Sequence, residues 1–152
     1  MRKLHLPILL LLAFVAGMLV SRLDIRQLHA VEKGEFTYTI DNCVSEFSQA
    51  KVKKNSKGWT FWHVPRELSP TFNFKISHVG PQSANHPPHV HAEEEIFYII
   101  EGMARFSFNG KNRVVGAKST MFCPKNIPHG ISNAGDKALS YAVIKANYPA
   151  ER

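Results

Sequence analysis

After roughly its first thirty residues, the chain alternates apolar and polar positions with a period of two, and helical periodicity is scarce. Glu35–Ile40 reads as a first strand, and Trp59–Val64 as a second, stopped by Pro65. Between them, Asp41–Gly58 is polar and lysine-rich, a loop with a short helical turn around Val44–Ala50. Thr71–Val79 alternates most strongly: Phe72, Phe74, Ile76 and His78 share one face. Because that face is apolar, it is expected to point inward and to carry His78 toward the interior. Ile96–Ile100 is β-branched and aromatic and too short for a typical helix. Met103–Phe108 and Val114–Val115 flank Asn109-Gly110-Lys111, a hairpin signal, since a type I′ turn needs positive φ at both central positions. Thr120–Cys123, His129–Ser132 and Leu139–Ala146 complete the strands, with turns at Pro124–Pro128 and Asn133–Lys137. Eight or so short strands and no helix of consequence after the first residues predict an all-β jelly roll.

The N-terminus breaks this pattern. Met1-Arg2-Lys3 is a basic start, and Leu6–Val20 is fifteen residues without a charge. That length suits the apolar core of a signal peptide and is short for a free-standing transmembrane helix. Small residues at Val15-Ala16-Gly17, or Leu28-His29-Ala30 beyond the charged stretch, are candidate cleavage sites, and an uncleaved membrane anchor is the alternative. Export, to a periplasm or outside the cell, is the expectation either way.

Charge changes the picture little. The formal net charge is +7, of which Arg2, Lys3, Arg22 and Arg26 against Asp24 supply +3. Much of the remainder sits at Lys51, Lys53, Lys54 and Lys57. Neither a recognition helix nor a basic stripe interleaved with aromatics is present, so no nucleic-acid partner is expected. An anionic small molecule is permitted by the charge and not implied by it. The cysteines, Cys43 and Cys123, allow one disulfide in an exported protein or a buried free thiol at Cys123.

The chemistry concentrates in Asn85–Gly102, which contains His89-Val-His91 and then Glu95. On extended backbone, side chains at i and i+2 leave the same face, so two imidazoles converge there. Three residues to Glu95 leave room for a tight turn. Two neutral imidazoles and a carboxylate are a donor set that borderline divalent metals prefer, and His129 is the candidate for a fourth donor. The bland alternative is a pair of exposed loop histidines beside a solvated acidic patch. His86 reads as a rim histidine, His78 as a core histidine satisfied by backbone, and Asn133 as a turn cap or a partner orienting a ring.

These residues carry a family resemblance. His89-x-His91-x3-Glu95-x6-Gly102 resembles the first cupin motif, and Pro124–Asn133, with Pro128-His129 and Asn133 four positions on, resembles the second. The resemblance covers about residues 70–147. Ser83 stands where the first motif opens on glycine, Lys118-Ser119 replaces the Gly-Asp start of the second, and Asn126 replaces a turn glycine. The resemblance implies a double-stranded β-helix with the metal inside. Residues 1–30 are then leader and connector, 31–69 N-terminal strands and a loop packing on the barrel, 70–147 the cupin domain and 148–152 a tail. It implies one divalent manganese, iron, zinc, nickel or copper ion on His89, His91, Glu95 and His129. Such a chain is expected to act on a small organic molecule as a dioxygenase-like enzyme, an isomerase or a lyase. Alternatively it binds a sugar or small acid without turnover, or holds metal; homodimerisation is open, and no catalytic residue beyond the ligands is singled out.

Overall fold

The computed structural model describes residues 37–147. The apolar leader, the connector and the tail lie outside the described residues, as do Glu35 and Phe36 of the expected first strand. Among the described residues no helix is long and apolar enough to cross a membrane.

Those up to Cys43 and those from Val44 belong to separate compact units. In the first, no strand continues through Thr37–Thr39, and α1 (Ile40–Cys43) is a single turn. The expected strand is overridden by capping. The Asn42 side chain accepts from Thr39 N at 3.0 Å, and Thr39 Oγ1 accepts from Asn42 N at 3.4 Å. This reciprocal pair meets the free donors at the start of the turn.

The second unit begins with a 3₁₀ turn, Gln49–Lys51, shorter and later than the turn expected around Val44–Ala50. Nine strands follow: β1 (Lys53–Asn55), β2 (Gly58–Val64), β3 (Phe72–Val79), β4 (Glu95–Glu101), β5 (Ala104–Phe108), β6 (Lys111–Val115), β7 (Thr120–Cys123), β8 (His129–Asn133) and β9 (Leu139–Ala146). They form an antiparallel six-stranded sheet, β1-β2-β3-β9-β4-β7, and a three-stranded sheet, β6-β5-β8. This is the all-β jelly roll expected, with β1 as an additional edge strand inside the lysine-rich segment. Asn109 (φ 45°) and Gly110 (φ 78°) make the β5–β6 turn as the Asn-Gly pair requires.

Val79, Phe97, Ile99, Ala104, Phe106, Ile131, Leu139, Tyr141 and Val143 form the buried core, joined by Cys123. Both cysteines are free: Cys43 is exposed, and burial pushes the Cys123 thiol up to about 12.

β3 faces opposite to expectation. Asn73, Ser77 and Val79 are buried, whereas Phe72 is exposed and Phe74, Ile76 and His78 lie on the outer side with it. The physical reason is a second apolar layer outside this part of the sheet. Phe47 packs on Trp59 and Phe61 with ring centroids 5.5 and 5.2 Å apart, His63 stacks on Phe74 at 5.3 Å, and Trp59 stacks on His78 at 5.1 Å. His78 therefore does not reach the interior; its Nδ1 pairs with the Ser140 hydroxyl at 2.8 Å. With Trp59, Phe61, His63 and Phe74 on the outer side, the other face of β2 and β3 is left to Thr60, Trp62, Lys75 and Ser77, which line a cavity of about 260 Å³.

A candidate metal centre

The two histidine-bearing segments meet through their backbones. His89 N donates to His129 O at 2.9 Å, and His129 N donates to His89 O at 3.0 Å, an isolated antiparallel bridge. Asn126 N donates to His91 O at 2.8 Å, tying the second loop to the first again. His89–His91 is thus extended loop held by one bridge rather than a full strand. Gly130 follows His129 because Pro88 packs against it: a Cβ there would lie 2.9 Å from Pro88 Cα. Asn126 sits at φ 62°, the left-handed conformation for which asparagine is a tolerated substitute for glycine.

This clasp brings nitrogens of His89, His91 and His129 within 4.8 Å of one another. Glu95, the first residue of β4, places Oε2 3.3 Å from His129 Nε2 and 3.5 Å from His91 Nε2. The two Nε2 atoms are 3.1 Å apart. His129 is fully buried, Glu95 is buried, and His89 and His91 are half-buried. All four residues singled out in the sequence are therefore together. Around them, His86 is exposed and packs its ring edge-on against His89 with centroids 4.5 Å apart. Asn133 touches no imidazole. It donates to the carbonyls of Gly80 and Lys137 at 2.9 and 2.7 Å and accepts from Gly135 N at 2.8 Å, which makes it a turn clamp.

The donor chemistry fits a cation. His91 Nδ1 lies 2.8 Å from Glu93 O, His129 Nδ1 2.7 Å from Ile127 O, and His89 Nδ1 3.3 Å from Pro87 O. A carbonyl only accepts, so each Nδ1 is the donor and each Nε2 turns a lone pair to the centre. Two imidazole lone pairs and a carboxylate oxygen thus face one another with no donor between them, a repulsive set unless a positive ion lies among them. Ligands each about 2.1 Å from one ion stand about 3.0 Å apart at a right angle and about 3.4 Å at a tetrahedral one. The separations here, 3.1, 3.3 and 3.5 Å, fall in that range. Burial holds the His89 pKa below the usual imidazole value, with His86 adding to the effect, so His89 stays in the neutral form a ligand needs. Glu93 is exempt from ligation by its partners: Lys145 and Arg66 each sit 3.5 Å from its carboxylate. Burial opposes its charge, but its backbone hydrogen bond and Lys145 outweigh that and hold its pKa low.

What sequence reasoning missed is the polar wall beside the centre. Glu95 lines the 260 Å³ cavity together with Lys75, Ser77, Asn85 and Tyr141. Asn85 Nδ2 donates to the Tyr141 hydroxyl at 3.2 Å, and burial raises the Tyr141 pKa. The available signal was the polar half of β3, Asn73-x-Lys75-x-Ser77, which only the position of the outer aromatics could have turned inward.

Two antiparallel sheets closing over a histidine cluster that is shared between two loops define a barrel of the cupin kind. Residues 75–145 match the family described as the cupin domain, and the barrel these residues form is a cupin-like jelly roll. Among solved structures, it is similar to one described as a predicted oxalate decarboxylase from Thermotoga maritima. That pair shares 25% identity and a TM-score of 0.54 over 58% of this chain and 78% of that one. The polyketide cyclase RemF from Streptomyces resistomycificus is 19% identical, with a TM-score of 0.58 over 71% of this chain and 82% of the other. An RmlC-like cupin from Shewanella frigidimarina is 14% identical, with a TM-score of 0.59 over 70% of this chain and 92% of the other. The last two likenesses concern the fold alone. A comparison with curated proteins finds no match.

Proposed function

We propose that His89, His91, Glu95 and His129 hold one divalent transition metal, and that the chain is an exported metal-dependent enzyme acting on a small organic substrate, with dioxygenase-like chemistry. The observation that carries the proposal is the inward set of lone pairs. Three Nδ1 atoms spend their protons on backbone carbonyls, nitrogens of the three histidines lie within 4.8 Å of one another, and the Nε2 atoms of His91 and His129 meet Glu95 Oε2. Four protein donors leave one or two positions free on a five- or six-coordinate ion, unlike the closed four-coordinate structural zinc site. When bound, the ion supplies Lewis-acid polarisation or a template for substrate beside dioxygen or water. The protein's own part is orientation and exclusion. The carbonyls of Pro87, Glu93 and Ile127 fix the rings, the His89–His129 bridge fixes the loops, and Phe97 and Trp62 give the adjoining cavity apolar walls.

The test is elemental analysis of protein purified without chelators, followed by oxygen-electrode assays on a panel of oxidisable, acidic and sugar substrates. One iron or manganese per chain with substrate-dependent oxygen uptake is the expected result; no bound metal overturns the site. Zinc without oxygen uptake would move the chemistry to isomerase or lyase. One observation favours that second reading: the 25% identical Thermotoga structure is described as that of a predicted oxalate decarboxylase, and decarboxylation is a carbon–carbon cleavage of the lyase type. Absence of turnover on every substrate leaves a ligand-binding or metal-holding cupin, and a loss of metal affinity in His86→Ala would select the metal-holding reading. Export rests on the basic start and the Leu6–Val20 run. A fusion of residues 1–34 to a reporter should leave the cytoplasm, and a reporter that stays wholly cytoplasmic ends that part of the proposal.

A further inference from the structure

Lys75 is the one lysine that the alternation of β3 carries onto the inner face of the six-stranded sheet beside the candidate centre. It is half-buried, and among the described residues no carboxylate lies within ion-pair distance of it; Lys145, by contrast, pairs with Glu93. Its ammonium stands 5.0 Å from the ring centroid of Trp62, the neighbour directly across the β2–β3 ladder. Desolvation lowers its pKa; Glu95 opposes the shift and Lys145 adds to it, so the charge is only partly compensated. Glu95 lines the same cavity, but its negative charge is committed to the ligand set described above. Lys53 and Lys54 of β1 add two exposed positive charges to the lining. A partly desolvated ammonium that opens on a cavity, and whose attraction to Glu95 is shared with the proposed ligand set, is a receptor for an anion.

Resting on the proposed metal site, we infer that this cavity takes a small organic carboxylate, with the carboxylate on Lys75 and the carbon skeleton against Trp62 and Phe97. The charge argues for one carboxylate. A single inward ammonium balances one negative charge, and no guanidinium fork is present in the lining to grip a phosphate at two points. The volume argues for small size, since about 260 Å³ is below the roughly 300–1,000 Å³ of pockets that take drug-sized ligands. The Ser77 hydroxyl, paired with Thr60 Oγ1 at 3.1 Å, and the Tyr141 hydroxyl offer neutral hydrogen bonds to a hydroxyl or keto oxygen of the same ligand.

The experiment is calorimetric titration of the full, metal-loaded chain with pyruvate, propionate and benzoate, each against its own amide, and with inorganic phosphate. At least one acid is expected to bind about tenfold or more tightly than its amide, the scale of one hydrogen bond to a charged group. Lys75→Met should bring that ratio to near one, and Lys75→Arg should retain most of it. An acid-over-amide preference that survives Lys75→Met, or no preference in the unaltered chain, overturns the inference. Phosphate binding more tightly than every acid also overturns it. If Lys75→Met fails to fold by circular dichroism, the shorter polar Lys75→Gln carries the same comparison. Metal content measured on the same samples separates the two proposals. Metal retained in Lys75→Met while the acid preference is lost supports both. An unaltered chain without metal overturns the site, and its acid-to-amide ratio, measured metal-free, still decides Lys75.

Discussion

β3 and β4 lie on either side of β9 in the same sheet, and both alternate, yet they divide their side chains oppositely. β4 sends Glu95, Phe97 and Ile99 inward and leaves Ile96, Tyr98 and Ile100 exposed. β3 sends Asn73, Lys75 and Ser77 inward and gives its aromatic face to the outside, where Trp59, His63 and Phe47 extend an apolar layer. One strand therefore builds core and ligand, while the other builds the polar wall of a cavity. Alternation fixes the period of a strand and not its sign. The sign depends on what covers each face.

The largest expected effect breaks the centre that Glu95 of β4 faces. His89→Ala or His129→Ala should remove most of the bound metal, measured by elemental analysis, whereas His86→Ala should leave occupancy nearly intact. One mole of tightly held metal surviving loss of both His89 and His129 would refute the site.

Next is the face test within β4 itself. Ile99→Ala, at a fully buried position, should cost about 2–5 kcal/mol in urea unfolding. Ile100→Ala, one residue on and 42% exposed, should change stability by about 0.5 kcal/mol or less. Equal costs would mean that the strand does not separate inside from outside as described.

On β3 the corresponding substitution is His78→Ala. It removes the stack on Trp59 and the bond to Ser140 and should cost about 1–2 kcal/mol, with metal content unchanged. A fall in metal content would return His78 to the interior.

The smallest effect is at Cys123, opposite Glu95 in the β4–β7 ladder. An ordinary thiol loses its proton near 9.0, whereas the folded Cys123 holds its proton to about 12. Between those values the unfolded chain binds fewer protons, so this group's contribution to stability is present below pH 9 and falls as pH rises toward 12. At pH 8, iodoacetamide should label Cys43 and spare Cys123 until denaturant is added; labelling of both in the folded chain would contradict the burial.

Most of this architecture was legible in the sequence. The Asn-Gly hairpin, the succession of strands from β4 to β9 and the grouping of His89, His91 and Glu95 follow from local spacing, because turns and i, i+2 geometry act over a few residues; His129 is reached through the resemblance of its own motif. The failures share a different cause. Glu35–Ile40 looked like a strand because Phe and Tyr alternate with polar residues, but Thr39 and Asn42 cap each other and start a helical turn at Ile40. Phe72, Phe74 and Ile76 looked like core because nothing local announces that Phe47, Trp59, Phe61 and His63 build an apolar layer on that side of the sheet. Lys75 was passed over for the same reason: a lysine between Phe74 and Ile76 on a strand reads as solvent-facing until the sheet's other side is seen to be occupied.

The bridge between His89 and His129 has a consequence for the order of events. These residues are forty positions apart, and bringing such distant groups together costs chain entropy that some interaction must offset. In a zinc finger the ion itself supplies that, so the metal-free chain is unfolded. Here two main-chain hydrogen bonds and the Pro88–Gly130 contact tie the loops together without recourse to an ion. On the proposed metal site, loading is then a capture event at a formed cradle, and chelation is expected to strip the ion without unfolding the chain, as circular dichroism before and after would read.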